Sequence, residues 1–120
     1  MRKKIWLILV IMLCSFSLVG CGTSSETIDS TPTLEQILEE NNYTIVDVRT
    51  KEEYDEGHVK GSINIPYDEI DEDVELEKEK TILVYCQSGI RSKVAYDKLK
   101  TLGYEVYDLG AYDSINLEKE

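Results

Sequence analysis

Residues 81–92 read Thr-Ile-Leu-Val-Tyr-Cys-Gln-Ser-Gly-Ile-Arg-Ser, and they are the clearest indication of the fold class in this sequence. Its first five residues are almost all apolar, which is typical of a central parallel strand buried on both faces. After a short polar loop, apolar residues recur at helical spacing up to Gly103, at Ile90, Val94, Ala95, Leu99 and Leu102. A buried strand followed by a loop and an amphipathic helix predicts an α/β domain with a parallel sheet.

The flanking segments continue this alternation of strands and helices. Upstream, the patterns predict a helix at Thr33–Glu40, a strand at Tyr43–Val48, a helical turn at Lys51–Glu56 and an extended segment at Gly61–Pro66. Downstream, they predict a strand at Tyr104–Tyr107 and a terminal helix at Tyr112–Leu117. Right-handed crossovers would place helices on both faces of the sheet. We therefore expect one domain, residues 33–118, with a parallel sheet flanked by helices on both faces.

The cysteine of the central loop, Cys86, is the candidate catalytic residue. It follows the predicted strand and precedes a helix, at the edge where open α/β sheets bind their ligands. Free amide groups of the turn and the helix start, with the cation of Arg91, should lower the pKa of the thiol and favour the nucleophilic thiolate. The alternative is a buried and inert core cysteine. The candidate substrate-binding residues are the rest of the loop, Gln87, Ser88, Gly89, Ile90, Arg91 and Ser92.

The N-terminus has the pattern of an export signal. Three basic residues at positions 2–4 precede an apolar stretch, Ile5 to Val19, that is shorter than the about 20 residues a transmembrane helix needs. The stretch ends at Leu18-Val19-Gly20-Cys21, which resembles a bacterial lipobox, and the resemblance implies cleavage before Cys21 and its acylation. An uncleaved membrane anchor and an ordinary signal with a chance cysteine are the competing interpretations.

This pattern predicts how the chain is organised and where it is located. Residues 1–20 would be a lipoprotein signal peptide, and residues 21–32 a lipidated N-terminus and flexible tether. The domain would then be lipid-anchored to the cell membrane, on its extracytoplasmic face. Because Cys14 would be removed and Cys21 acylated, Cys86 would be the one free thiol of the mature chain.

The composition excludes several classes of partner. Removal of residues 1–20 leaves ten basic and 24 acidic side chains, a formal net charge of −14 against −11 for the whole chain. Nucleic acid is therefore not expected to bind, because phosphate recognition needs a basic patch. The carboxylates of residues 68–79 are scattered, and we interpret them as a solvated face or, alternatively, a docking surface for a basic partner. No metal site and no cofactor are predicted, since the sequence has no Cys/His cluster.

The loop of residues 86–92 resembles that of the single-domain rhodaneses, sulfurtransferases with a Cys-x-x-Gly-x-Arg-Ser loop. Further blocks resemble the family in order and spacing: Ile45–Arg49, Glu53-Tyr54, Gly57–Val59, Gly61–Pro66 and Gly103-Tyr104. The resemblance implies the rhodanese-like fold and a persulfide on Cys86. The donor would be thiosulfate, a persulfide or a polysulfide, and the acceptor cyanide or a thiol. Loop amides and Arg91 would hold the anionic sulfur. Given the net charge, we expect weak affinity for thiosulfate.

Three further functions compete with this hypothesis. The first is phosphatase activity, because cysteine phosphatases related to the rhodaneses carry a similar loop. They place five residues between Cys and Arg, whereas four separate Cys86 from Arg91, and this smaller ring suits a single sulfur atom better than a phosphate. The second is a non-catalytic, lipid-anchored binding module, and the third is a thiol-redox protein, which the lack of a resolving cysteine weakens. The chain also departs from the family, which often has Gly-Gly and a nearby Trp where this sequence has Gly110-Ala111 and no Trp.

Three further polar residues are interpreted as scaffold rather than as catalytic groups. His58, the only histidine, occupies a family position that is usually structural. Asp47 is expected to hydrogen-bond the active loop, and Arg49 to pair with Glu52 or Glu53, because buried polar groups need partners.

Overall fold

The computed structural model describes residues 31–120. The predicted signal peptide, the lipobox with Cys21 and most of the predicted tether lie outside these residues, so those expectations remain predictions. Between residues 31 and 120, no helix combines the length and the apolar character needed to cross a membrane. Residues Pro32–Glu120 form a compact unit.

The described chain has four strands, β1 at Tyr43–Asp47, β2 at Ile63–Asn64, β3 at Thr81–Cys86 and β4 at Val106–Ala111. They form a parallel sheet in the spatial order β2-β1-β3-β4. Strand β3 pairs with β1 on one side and with β4 on the other. Because it is an inner strand with both faces covered, its residues from Ile82 to Cys86 are all buried, as the apolar run predicted.

Three α-helices accompany the sheet: α1 at Leu34–Glu40, α2 at Lys51–Glu56 and α3 at Ile90–Thr101. Helix α1 begins at a capping box formed by Thr33 and Gln36, and α2 at one formed by Thr50 and Glu53. Each box satisfies backbone N–H groups that a helix start leaves without partners, which fixes where these short helices begin. Two 3-10 turns, Tyr67–Glu69 and Tyr112–Ser114, complete the elements of the described chain.

The sheet has an apolar core on each face, because successive residues of a strand point to opposite sides. From β3, Ile82, Val84 and Cys86 pack into the core that includes residues of α3. Leu83 and Tyr85 pack into the core that includes residues of α1. Helices therefore cover both faces, and the predicted parallel α/β architecture is confirmed.

Helix α3 has the predicted position, and its predicted apolar face is confirmed in part: Ala95 and Leu99 are buried, and Leu102 packs against the core. Ile90 and Val94, expected in the core, are 73% and 38% exposed. The buried residues of the helix are Ser92, Ala95 and Leu99. Small side chains at Ser92 and Ala95 leave space for the helix to approach the sheet closely, so the buried stripe is rotated away from the larger residues of the first turns.

Strand β4 begins at Val106 and ends at Ala111, so it starts two residues later and ends four residues later than predicted. Tyr104, assigned to the strand from the sequence, instead completes the turn after α3, where its N–H donates to the carbonyl of Leu99 at 3.1 Å. The pairing of β4 with β3 then shifts by one residue at Leu109, because Val84 pairs with Asp108 and Tyr85 with Gly110. Such a bulge bends the strand at the edge of the sheet that carries the loop of residues 86–92.

The predicted terminal helix at Tyr112–Leu117 is wrong beyond its first turn, Tyr112–Ser114. The end of the chain is extended and pairs with the segment that follows α2. The N–H of His58 donates to the carbonyl of Glu120 at 3.0 Å, and the N–H of Lys60 donates to the carbonyl of Glu118 at 2.8 Å. This non-local pairing satisfies backbone groups that a helix would have satisfied locally.

Candidate active site

The candidate loop lies at the carboxyl edge of the sheet. Strand β3 ends at Cys86, and residues 87–89 alone separate it from α3. Gly89 is the N-cap of α3 with a φ of 95°, a left-handed conformation that glycine adopts without a steric penalty. Residues 90–92, three of the candidate substrate-binding residues, form the first turn of α3, whose N–H groups have no partners within the helix.

Cys86 is buried, with 0% of its surface exposed, yet its sulfur accepts hydrogen bonds. The Gly89 N–H donates a hydrogen bond to Sγ at 2.9 Å. Burial raises the pKa of the thiol, but hydrogen bonds from Ser92 and from the N–H groups of Gly89 and Ser88 outweigh burial, so the pKa of Cys86 is lowered below its ordinary value. The loop thus favours a thiolate, which an inert core cysteine would not be.

The hydroxyl of Ser92 has two possible acceptors. It donates to the carbonyl of Gly89 at 3.1 Å, and it also contributes to the lowered pKa of Cys86. A hydroxyl has one proton and rotates to suit its surroundings, so it cannot serve the carbonyl and the sulfur at once. Backbone N–H groups are therefore the permanent donors to the thiolate, and Ser92 adds a donor when it turns away from the carbonyl.

Arg91 does not stand free beside the thiol. Its guanidinium binds the carboxylate of Glu53 through two hydrogen bonds, Nη1 to Oε1 at 2.7 Å and Nη2 to Oε2 at 3.0 Å. The hydrogen bond from Arg91 lowers the pKa of Glu53 to about 2, and the same pair raises the pKa of Arg91. Local sequence patterns gave no signal for this partner, because 38 residues separate the two positions.

Arg49 connects the core of the sheet to the loop. Its Nε and Nη2 bind the buried carboxylate of Asp47 at 2.6–3.0 Å, and Nη2 also donates to the carbonyl of Gly57 at 2.6 Å. Its Nη1 donates to Oε1 of Gln87, the residue after the cysteine, at 3.2 Å. Burial opposes the charge of Arg49, but the bonds to Asp47 outweigh it and raise the pKa of the guanidinium.

Two expectations for this cluster need correction. Arg49 pairs with Asp47 and not with Glu52 or Glu53, because Asp47 is held two residues away on the same strand end, whereas Glu53 faces Arg91. The side chain of Asp47 bonds to Arg49 rather than to the loop, and Arg49 in turn donates to Gln87 of the loop. The scaffold interpretation of both residues agrees with their burial.

The segment that departs from the family pattern forms one wall of the loop. Ala111 of β4 pairs in register with Cys86 of β3. A Cβ added at Gly89 would lie 3.9 Å from the Cα of Gly110 and 4.0 Å from the nitrogen of Ala111, which is ordinary contact. The Gly110-Ala111 backbone thus packs against Gly89 of the turn.

His58, the only histidine of the sequence, contacts Tyr54 and Glu120 rather than Cys86. The ring of His58 stacks on that of Tyr54 with centroids 3.8 Å apart, and its Nδ1 lies 2.8 Å from the carbonyl oxygen of Tyr54. Its Nε2 lies 3.6 Å from a carboxylate oxygen of Glu120. These contacts support a structural role. Within residues 31–120, no group of three or more His, Cys, Asp or Glu side chains is arranged to hold a metal ion.

Comparison with known proteins finds similarity to rhodaneses and sulfurtransferases. Residues 30–117 match the rhodanese-like domain family. Thiosulfate sulfurtransferase PspE of Escherichia coli is 37% identical over 78 residues, which cover 62% of this chain and 75% of PspE. Adenylyltransferase and sulfurtransferase uba4 of Ogataea parapolymorpha is 35% identical over 92 residues, 72% of this chain but 24% of uba4. The solved structure of a rhodanese with anions from E. coli matches with a TM-score of 0.60 and 34% identity, over 65% of this chain and 96% of that one.

The chain therefore belongs to the rhodanese family, and its parallel α/β sheet is the rhodanese fold. At the level of the family it is a rhodanese-type sulfurtransferase. The resemblance that the loop and the flanking blocks carried is confirmed to that level.

Proposed function

We propose that this chain transfers a sulfane sulfur from a small donor to a nucleophilic acceptor through a persulfide on Cys86. The thiolate attacks the outer sulfur of thiosulfate, a persulfide or a polysulfide. With thiosulfate, the S–S bond breaks and its electron pair leaves on sulfite, so that Cys86–S⁻ and thiosulfate become Cys86–S–S⁻ and sulfite. Cyanide then takes the outer sulfur as thiocyanate and regenerates the thiolate, and in cells a thiol would be the acceptor. The covalent intermediate divides one difficult transfer into two easier steps.

One observation carries this proposal: the N–H of Gly89 donates to Sγ of Cys86 at 2.9 Å in a turn that lowers the pKa of the thiol. A thiolate is the nucleophilic form of cysteine, so no separate base is required. The same preorganised N–H groups would hold the anionic outer sulfur of the persulfide, with Gln87, Ser88, Gly89, Ile90, Arg91 and Ser92 as the surrounding residues.

Access to the sulfur is part of the proposal. Cys86 has no exposed surface, whereas Gln87 and Ser88 beside it are exposed. The donor therefore reaches Sγ only when part of the turn moves. Complete burial is also the observation that favours the second candidate function, a non-catalytic binding module with the same loop.

A turnover assay separates the two candidates. The full-length chain, in mild detergent, is incubated with thiosulfate and cyanide, and thiocyanate is measured beside the Cys86→Ser variant. A sulfurtransferase forms thiocyanate that is lost in the variant, while the fold, followed by circular dichroism, is kept. A folded wild type that turns over neither thiosulfate nor a persulfide donor contradicts the enzyme and supports the module.

We also propose that the chain is a lipoprotein anchored through Cys21 at the extracytoplasmic face of the cell membrane. The support is the sequence pattern of residues 1–21 alone. Labelling of expressing bacteria with a palmitate analogue should mark the wild type and not the Cys21→Ser variant. Label that persists in the variant contradicts acylation at this residue.

A further inference from the structure

Both arginines near the loop have their charge balanced by a carboxylate. Arg91 is bound by Glu53 and Arg49 by Asp47. The remaining interactions that favour an anion at Cys86 come from backbone N–H groups, from the Ser92 hydroxyl and from the start of α3. The immediate surroundings of the sulfur thus carry partial positive charge but no uncompensated cation from Arg91 or Arg49, in a domain that is acidic overall.

Glu53 is fixed in place and does not meet Arg91 by chance. It occupies the third position of α2, where its Oε1 accepts from the N–H of Thr50 at 3.4 Å and from the Thr50 hydroxyl at 3.2 Å. Its side chain is 30% exposed and that of Arg91 27% exposed. The carboxylate is therefore held by α2 from one side and by α3 from the other, at a partly desolvated site where a charge acts more strongly than in water.

Arg91 also senses the reactive sulfur. Its pKa is raised first by the hydrogen bonds to Glu53 and, further down, by the charges of Glu53 and of the Cys86 thiolate. Because Glu53 is bound directly to Arg91, a negative donor at Cys86 would be acted on by the guanidinium and by this carboxylate together. The attraction that the guanidinium supplies is largely cancelled by the carboxylate.

We propose that Glu53 determines donor specificity: it disfavours donors with two negative charges, such as thiosulfate, and favours donors with a single one. This inference rests on the proposed sulfur transfer at Cys86. A fixed unit charge acts on a dianion twice as strongly as on a monoanion at the same distance. A site in which Glu53 compensates Arg91 therefore loses more attraction for thiosulfate than for a monoanionic persulfide, polysulfide or thiosulfonate.

The effect of donor charge can be measured with two donors that react by the same step but carry different charges. Thiosulfate has two negative charges, and methanethiosulfonate is the same sulfonyl-sulfur unit with a methyl group in place of one oxygen anion. In each case the Cys86 thiolate takes the outer sulfur, the S–S bond breaks, and its electron pair leaves on sulfite or on methanesulfinate. Both donors leave the same Cys86 persulfide, so the acceptor step with cyanide is common to them.

The experiment compares kcat/KM for the two donors in the full-length wild type and three variants. Glu53→Gln removes the charge and keeps a capping-box residue at the third position of α2. Glu53→Asp keeps the charge near the loop but shortens the side chain, so it disturbs the paired geometry without removing the charge. Glu52→Gln removes an exposed charge from the same helix and controls for net charge.

We expect Glu53→Gln to raise the ratio of kcat/KM for thiosulfate over methanethiosulfonate about tenfold, through KM rather than kcat. Glu53→Asp and Glu52→Gln should leave this ratio within about twofold of the wild type. An unchanged ratio in folded Glu53→Gln, or an equal rise in Glu53→Asp, overturns the inference and makes the pair structural. Failure of the proposed function is seen separately, as a wild type that uses neither donor, and the inference fails with it.

Discussion

Replacement of Arg49 by methionine is the sharpest test of what holds the loop in place. The substitution keeps most of the side-chain volume but removes every hydrogen bond of the guanidinium. Asp47 is 0% exposed and would keep the bond from the Arg49 N–H, at 2.9 Å, and its interaction with the Tyr85 hydroxyl, but no cation. The carbonyl of Gly57 and the amide of Gln87 would each lose a donor.

The magnitude follows from the burial of the pair. Removal of one partner from a buried ion pair leaves an uncompensated charge and costs about 3–5 kcal/mol. That is a large part of the about 5–15 kcal/mol that stabilises an ordinary domain. The double variant Asp47→Asn with Arg49→Met removes both charges, so it should cost at least about 2 kcal/mol less than the sum of the two single changes.

Urea unfolding, followed by far-ultraviolet circular dichroism, measures all three variants beside the wild type. Equal slopes across the series would justify comparing the free energies of unfolding. Additivity of the single changes within about 0.5 kcal/mol would refute the reasoning, because residues in one buried network must couple. So would a loss of less than about 1 kcal/mol in Arg49→Met, since the pair would then contribute no more than an exposed one.

Three smaller predictions follow from the loop and from Glu53. Alkylation of Cys86 by iodoacetamide should rise with pH around a midpoint below the about 8.5 of a free thiol, since the lowered pKa keeps the thiolate as the pH falls; a midpoint at or above that value contradicts the loop electrostatics. The folded-state pKa of Glu53, about 2, lies below its ordinary 4.5, so the ionised pair stabilises the fold above pH 4.5 and this contribution is lost as the pH falls towards 2. Discounted for partial exposure, Glu53→Gln should lower the free energy of unfolding by about 1 kcal/mol at neutral pH and by nothing near pH 2, and a loss that is the same at both pH values in urea titrations speaks against the pair. Gly89→Ala should cost about 1–2 kcal/mol in the same assay, because the position is left-handed and the added Cβ meets no close atom; an unchanged stability would mean that the turn readjusts.

Local patterns were enough to predict the elements that build the site. The apolar run of β3 and Gly89, three residues after Cys86, specify a strand, a turn and a helix start within residues 81–92. Capping boxes at Thr33 and Thr50 likewise fix the starts of α1 and α2 through residues three positions apart. These features depend on neighbours in the sequence, so they could be predicted without knowledge of the fold.

The charge partners of the site could not be predicted in the same way. Glu53 meets Arg91, and Arg49 meets Gln87, only because parallel strands bring the ends of β1 and β3 together. From the sequence alone, Glu52 and Glu53 were both expected as partners of Arg49. The extended end of the chain could not be predicted for the same reason, because its backbone pairs with residues 58–60, which are distant from it in the sequence.

The central claim is that Cys86 carries the sulfur as a persulfide, and peptide mass spectrometry tests it directly. The full-length chain is treated with thiosulfate, digested without reductant and compared with a sample that then receives cyanide. The account predicts a gain of about 32 Da, one sulfur atom, on the peptide that contains Cys86, and its loss after cyanide with release of thiocyanate. A peptide that gains no sulfur from thiosulfate or from a persulfide donor, in a chain shown to be folded, would contradict it.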